Sequence, residues 1–203
     1  MPVPRVHASA FIHPSATLVG DVEIGAESSV WLNASLRGDM GRIVVGAGSS
    51  VQDGCALHND PGEETRVGDG VSIGHGAVVH GSTVEDDVVV GMNAVVLGGA
   101  IVGAGSLVGA GAVVPGGARI PPDSLVLGVP GKVVKQDPRI REGNRANADR
   151  YRALVKRYVA GEFPTWGTTE RTGRATKSPE ATESHERSGP GARSVRATEE
   201  RGR

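Results

Sequence analysis

The chain has 203 residues, among them 31 glycines and a single cysteine, and its formal net charge is −1. No aromatic residue occurs between residues 32 and 150, so a globular core built on aromatic side chains is not expected. One cysteine excludes an internal disulfide and a cysteine zinc site. No apolar run approaches the ~20 residues of a membrane span, and the N-terminus lacks a signal peptide's apolar core. The near-neutral charge gives no reason to expect nucleic-acid binding. We therefore expect a cytoplasmic protein.

A period of six residues organises most of the chain. An aliphatic residue recurs every six positions, with short insertions after residues 36 and 57 and one deletion after residue 79. A small or slim residue follows most of these aliphatics four positions later. Neither a helix nor a simple alternating strand has this spacing. The repeating aliphatics are Ile12, Leu18, Ile24, Val30, Leu36, Val45, Val51, Leu57, Val67, Ile73, Val79, Val84, Val90, Val96, Val102, Val108, Val114, Ile120 and Val126.

This pattern predicts an all-β triangular solenoid over residues 1–130. Each hexad supplies one short strand and one corner, and three hexads complete a coil. Coils stack at the ~4.8 Å spacing of a parallel sheet, so each aliphatic lies on its copies above and below. Nineteen hexads correspond to about six coils.

The repeat stops after Pro130. We assign residues 131–166 to a C-terminal arm with an amphipathic helix at 144–160, because Tyr151, Leu154, Val155 and Tyr158 fall on one helical face. Residues 167–203 are almost devoid of apolar side chains, which predicts a disordered tail.

Three histidines fall on the hexad register in an informative way. His58 and His80 each follow the aliphatic of hexads that lie three apart, so they share a face on neighbouring coils, roughly 5 Å apart. Two imidazoles so placed can share a metal through bonds of about 2.1 Å. His75 belongs to another face, so it can contribute to such a site only on the prism of a neighbouring subunit. This register predicts a homotrimer with metal sites between subunits.

Other polar residues share these columns. Arg37 lies in the column of His58, one coil below it. Asp53 lies directly below His75, with Gln52 beside it. A carboxylate next to a metal-binding imidazole is a common supporting arrangement.

Several sequence blocks, taken together, resemble the γ-class carbonic anhydrases of the hexapeptide-repeat superfamily. Their order and spacing both match, and the resemblance covers about 120 residues and implies a left-handed parallel β-helix. The blocks are Arg37-Gly38-Asp39, Val51-Gln52-Asp53, His58, Ile73-Gly74-His75-Gly76-Ala77-Val78-Val79-His80-Gly81, Val90-Gly91-Met92 and Gly128-Val129-Pro130-Gly131-Lys132.

The resemblance implies a metal-dependent lyase. It implies that His58, His75 and His80 bind zinc, or else iron or cobalt, at the interfaces of a homotrimer. A three-histidine site leaves a position for water, and metal-bound hydroxide at that position would convert carbon dioxide to bicarbonate. The resemblance also implies supporting roles: Gln52 as hydrogen-bond partner of hydroxide or substrate, Arg37, Asp39 and Asp53 as interface and site-supporting residues, and Tyr151 as a pocket-lining residue.

The chain departs from the best-characterised members of that family in two places. Met40 stands where some relatives carry a glutamate that supports proton transfer. A long acidic loop is replaced by the short insertion 59–66, in which Glu63 and Glu64 are the candidates to reach the site edge. Vigorous carbon dioxide hydration therefore does not follow from membership.

Simpler interpretations accompany each assignment. Arg37 and Asp39 can form a plain ion pair, Gln52 can be a solvated residue, Asp53 can be a corner residue, and the histidines can bind no metal. Cys55 falls in the small inward column and is interpreted as packing.

The repeat fold does not fix the activity. The alternatives are a hexapeptide acyltransferase using acyl-coenzyme A, a zinc-dependent hydrolase such as a thioesterase, and a non-catalytic trimeric subunit. An acyltransferase needs a single general-base histidine, so three histidines that converge on one predicted point favour the lyase.

Overall fold

The computed structural model describes residues 2–164, and the predicted tail at 167–203 lies outside the described residues. The described part winds as a left-handed parallel β-helix followed by one helix. Its elements are β1 (Arg5–Val6), β2 (Phe11–Ile12), β3 (Thr17–Ile24), β4 (Ser29–Val30), β5 (Ser35–Val45), β6 (Ser50–Val51), β7 (Ala56–His58), β8 (Glu64–Val67), β9 (Ser72–Ile73), β10 (Val78–His80), β11 (Thr83–Val84), β12 (Val89–Val90), β13 (Val95–Val96), β14 (Ile101–Val102), β15 (Leu107–Val108), β16 (Val113–Val114), β17 (Arg119–Ile120), β18 (Ser124–Leu127), β19 (Lys132–Gln136) and α1 (Arg139–Val159).

The strands form three faces of a prism. Face 1 consists of β2, β4, β6, β9, β12, β15 and β18, all parallel. Face 2 consists of the first halves of β3 and β5 with β7, β10, β13 and β16, and face 3 of β1, the second halves of β3 and β5, β8, β11, β14 and β17. Because β3 and β5 bend around the corner between faces 2 and 3, the two faces form one sheet.

The β-helix has about seven turns rather than the six that the hexad count predicts. The difference arises at the N-terminal end, where β1 places Val6 beside Ile24 and so adds a hexad before Ile12. With this additional hexad the chain has twenty hexads, which is nearly seven turns of three.

The core is the predicted aliphatic column. Every repeating aliphatic is buried except Ile12 and Leu18, which are partly buried near the open N-terminal end. Strand pairing sets these residues one above another, as in Leu36 beside Leu57 and Leu57 beside Val79. The small inward residues, such as Cys55 and Ala77, are buried as well, which explains why the prism has no room for aromatic side chains.

Helix α1 packs along face 1 and begins five residues before the predicted residue 144. Its N-terminus is fixed by Asp137, whose Oδ1 accepts a hydrogen bond from the backbone N–H of Arg139 at 3.0 Å. The four residues of the predicted apolar face are partly buried, but Asn144 and Ala148 are the helix residues that are buried. No helix in the described part of the chain is long and apolar enough to cross a membrane.

The C-terminal end of the prism is closed by the chain itself. Strand β19 turns back and pairs antiparallel with β18 on face 1. On face 2, the backbone N–H of Val113 donates to the carbonyl of Gly128, and that of Gly131 donates to the carbonyl of Val113. Two of the three upper sheet edges therefore already have partners.

Candidate metal centre

His58 and His80 end adjacent strands of face 2. Strands β7 and β10 pair in parallel with His58 directly beside His80, and the two ring centroids are 5.3 Å apart. Both side chains are partly exposed. The imidazoles therefore project side by side from one edge of the prism, which is the arrangement that two ligands of a shared metal require.

Arg37 and Asp39 lie beside this pair. The Nη1 of Arg37 donates to Asp39 Oδ2 at 2.8 Å, and Asp39 Oδ1 lies 3.1 Å from His58 Nε2. The Arg37 guanidinium lowers the pKa of the Asp39 carboxyl, and the contact with His58 lowers it further. Asp39 therefore presents a carboxylate to His58, and the ion pair with Arg37 forms within one chain.

His75 lies at a different corner, in the turn between β9 and β10. Its Nδ1 is 2.7 Å from Asp53 Oδ2, and its Nε2 is 3.3 Å from the hydroxyl of Tyr151. An imidazole that donates from Nδ1 to a carboxylate carries its lone pair on Nε2, the form that binds metals. Burial raises the pKa of Tyr151, with a further contribution from the charge of Asp53, so the phenol remains a hydroxyl at neutral pH.

Residues 2–164 of a single chain do not bring the three histidines to one point. The cluster of potential metal ligands in this region consists of Asp60, Glu63 and His80 instead. His75 faces helix α1 through Tyr151, whereas His58 and His80 lie at the far end of the face 2 strands.

Gln52 and Tyr151 line a cavity next to His75. The cavity has a volume of about 580 Å³ and lies between helix α1 and face 1. Gln52 is 4% exposed, so it is not the solvated surface residue of the simpler interpretation. The remaining wall is largely apolar and consists of side chains such as Met92, Val89, Val90, Leu107 and Ala110.

Known proteins similar to this chain point to one family. Residues 81–116 match the family described as bacterial transferase hexapeptide (six repeats). The "Probable carbonic anhydrase" of Methanocaldococcus jannaschii is 62% identical over 125 residues, covering 62% of this chain and 79% of that protein. The carnitine operon protein CaiE of Escherichia coli O157:H7 is 42% identical over 165 residues, covering 80% of this chain and 84% of that protein. The chain belongs to the γ-class carbonic anhydrase family of hexapeptide-repeat proteins.

A solved structure supports the same fold. The hexapeptide transferase family protein from Anaplasma phagocytophilum superimposes with a TM-score of 0.73 at 33% identity, covering 76% of this chain and 92% of that one. Carbonic anhydrase and transferase names thus both occur among proteins similar to this member of the γ-class family.

The single cysteine of this family member is a packing residue. Cys55 is 1% exposed, and its Sγ lies 3.1 Å from the carbonyl oxygen of Gly74. Burial raises the pKa of the thiol to about 11, so the reactive thiolate is scarce at neutral pH.

Two residues near the site, Trp31 and Asp60, are not predicted by the sequence pattern. Trp31 packs edge-on against Tyr151, with ring centroids 5.6 Å apart, and so helps to hold the phenol next to His75. Asp60 lies beside His80 in the insertion that interrupts the repeat, where no register applies. Asn144, by contrast, could have been recognised from the sequence, because it is a polar residue on the helical face that carries Tyr151 and Val155.

Proposed function

We propose that this chain is a metal-dependent lyase of the carbonic anhydrase type, acting on carbon dioxide and bicarbonate, with its sites between the subunits of a homotrimer. The observation that carries the proposal is the in-register pair of His58 and His80, 5.3 Å apart between ring centroids, together with a third histidine that the same chain cannot add. The 62% identity to a protein named as a probable carbonic anhydrase supports it.

The donor set fits a zinc ion, and equally iron or cobalt. Three imidazole nitrogens form the ligand set of open catalytic zinc sites, and His58, His80 and a neighbouring subunit's copy of His75 would hold the ion. Asp53 at 2.7 Å and Asp39 at 3.1 Å supply the carboxylates that orient such imidazoles. A bound metal ion would supply Lewis acidity, which lowers the pKa of a water ligand to about 7.

The chain's own residues complete the site. Asp53 keeps the proton of His75 on Nδ1, and Asp39 holds the ring of His58. Gln52, buried at the cavity next to His75, provides an amide that donates and accepts hydrogen bonds toward substrate. The apolar cavity wall suits a small uncharged molecule such as carbon dioxide.

A matched pair of histidine variants tests the proposal. We expect purified protein, dialysed against a chelator, to retain about one zinc per chain and to hydrate carbon dioxide in stopped-flow assays. His75→Ala should remove metal and activity as completely as His58→Ala, because both belong to one site. His13→Ala, at a histidine whose side chain is hydrogen-bonded to Ser15, serves as the control and should behave like the wild type. A wild-type protein without metal and without hydration activity would overturn the proposal.

The second candidate function is acyl transfer. The cavity beside His75 and the similarity to a hexapeptide transferase family protein favour it, because His75 with Asp53 has the form of a general base held by a carboxylate. Incubation with acetyl-coenzyme A and an amine or hydroxyl acceptor tests it. Acyl transfer that survives His58→Ala would favour this candidate, since the base alone is then sufficient.

A further inference from the structure

A cluster of three ligand side chains lies on the far side of His80. Asp60, Glu63 and His80 each offer one ligand atom, and these atoms lie within 4.8 Å of one another. Ligand atoms on a tetrahedral zinc ion with bonds of about 2.1 Å lie about 3.4 Å apart, so an ion would draw the cluster together by up to about 1.4 Å. The three groups belong to one chain and need no partner subunit.

The two carboxylates of this cluster have no basic partner among residues 2–164. Among these residues, the ion-pair contact of Asp60 is with His80, whose Nε2 lies 4.0 Å from Asp60 Oδ1. Two basic residues on the strands that flank the loop form ion pairs elsewhere: Arg42 with Glu23 at 2.6 Å and Arg66 with Glu64 at 2.6 Å. Two adjacent carboxylates without a counter-ion repel each other, which favours a bound cation.

The loop holds these groups in place through its backbone. The Nδ2 of Asn59 donates to the carbonyl of Arg42 at 2.8 Å, and the N–H of Glu63 donates to the carbonyl of Asp60 at 3.0 Å. The carboxylate of Glu63 occupies the space that a Cβ would take at Gly81, the residue after His80. The Glu63 carboxylate therefore lies beside the end of strand β10, which carries His80.

A buried oxygen in the same loop lacks a partner. Asn59 is fully buried, and its Oδ1 accepts no hydrogen bond from any of residues 2–164. The Asn59 amide group and the backbone carbonyl of Glu63 both lie against Gly41, so the buried amide is packed in the same loop as the two carboxylates. A buried acceptor left unpaired carries a desolvation penalty, which a bound cation or its water ligand would relieve.

We propose that Asp60, Glu63 and His80 form a divalent-cation site contained in one chain. One imidazole and two carboxylates are ligands that Zn²⁺ accepts. This site is linked to the proposed metal centre only through His80, which belongs to both. Because one imidazole serves both sites, the two sites cannot be occupied at the same time.

Zinc titration in a background without the other two histidines tests the site. In the full-length His58→Ala/His75→Ala protein, we expect about one added zinc per chain, measured by competition with a chromogenic chelator. This ion is held too weakly to survive the chelator dialysis that tests the three-histidine site. Adding Asp60→Asn and Glu63→Gln should weaken that binding at least tenfold. Adding Glu64→Gln instead is the matched control and should change nothing, because Glu64 pairs with Arg66. Circular dichroism verifies that each variant is folded.

The outcomes separate this proposal from the proposed function. Absence of zinc from the His58→Ala/His75→Ala protein, or affinity that is unchanged by Asp60→Asn and Glu63→Gln, overturns the chain-contained site even if the wild type hydrates carbon dioxide. Zinc that is bound in this background and lost with the carboxylates supports the site even if the wild type shows no lyase activity.

Discussion

Carboxylates accompany the candidate histidines, but they are held to different degrees. Asp53 lies 2.7 Å from His75 Nδ1 and is fixed by the turn of the coil below. Asp60 is 73% exposed and lies 4.0 Å from His80 Nε2. A carboxylate that is already in hydrogen-bond contact fixes the tautomer before metal binds. Asp53 therefore has the clearer role in orienting a ligand.

We expect Asp53→Asn to weaken zinc binding about 10- to 100-fold, the usual cost of removing a supporting carboxylate. The amide still accepts from Nδ1 but adds no charge to the imidazole. The dissociation constant measured by chelator competition checks this. Asp149→Asn, on an exposed helix residue paired with Arg152, is the control. Equal affinities in the two variants would show that Asp53 is only a corner residue.

At the scale of elements, helix α1 is attached to the prism by a polar side chain. The Nδ2 of Asn144 lies 2.9, 3.1 and 2.9 Å from the carbonyl oxygens of Asp87, Gly105 and Ser106. The sequence pattern predicts the helix face that carries Tyr151, because apolar periodicity is visible there. It does not predict the start at Arg139, where the backbone N–H donates a hydrogen bond to Asp137 Oδ1.

We expect Asn144→Ala to lower the free energy of unfolding by about 2–3 kcal/mol, because buried carbonyls lose their donor. Denaturant unfolding followed by circular dichroism measures it. Asn147→Ala, on the same helix but at a partly exposed position, should cost less than about 0.5 kcal/mol. If the two variants are equally stable, the helix is held mainly by its apolar side chains.

At the scale of the whole molecule, the hexad period accounts for most of the architecture. A strict repeat fixes which residues stack, so the pairing of His58 with His80 and the position of Asp53 below His75 follow from counting. The loop 59–63 obeys no period, and its position depends on contacts with Gly41 and Gly81 that sequence spacing does not encode.

Subunits with complementary defects should restore each other if the metal site is shared. In a trimer that mixes His75→Ala with His58→Ala chains, one interface always combines an intact His58/His80 pair with an intact His75. Random assembly from equal amounts then regains about a quarter of the wild-type sites. Co-expression and stopped-flow hydration of carbon dioxide measure this recovery.

Mixing two preparations of His75→Ala is the control and should yield no recovery. Mixed trimers that remain as inactive as the parent variants would show that each site is built within one chain.

The closed end of the prism limits how these molecules can associate. A stack of parallel strands is a template, and an exposed edge invites another chain to continue it. Here β19 covers the edge of β18, and residues 128–131 cover that of β16. A second molecule therefore cannot add a strand directly to β18 or β16. Direct extension of these two strands along the axis into a fibre is therefore discouraged.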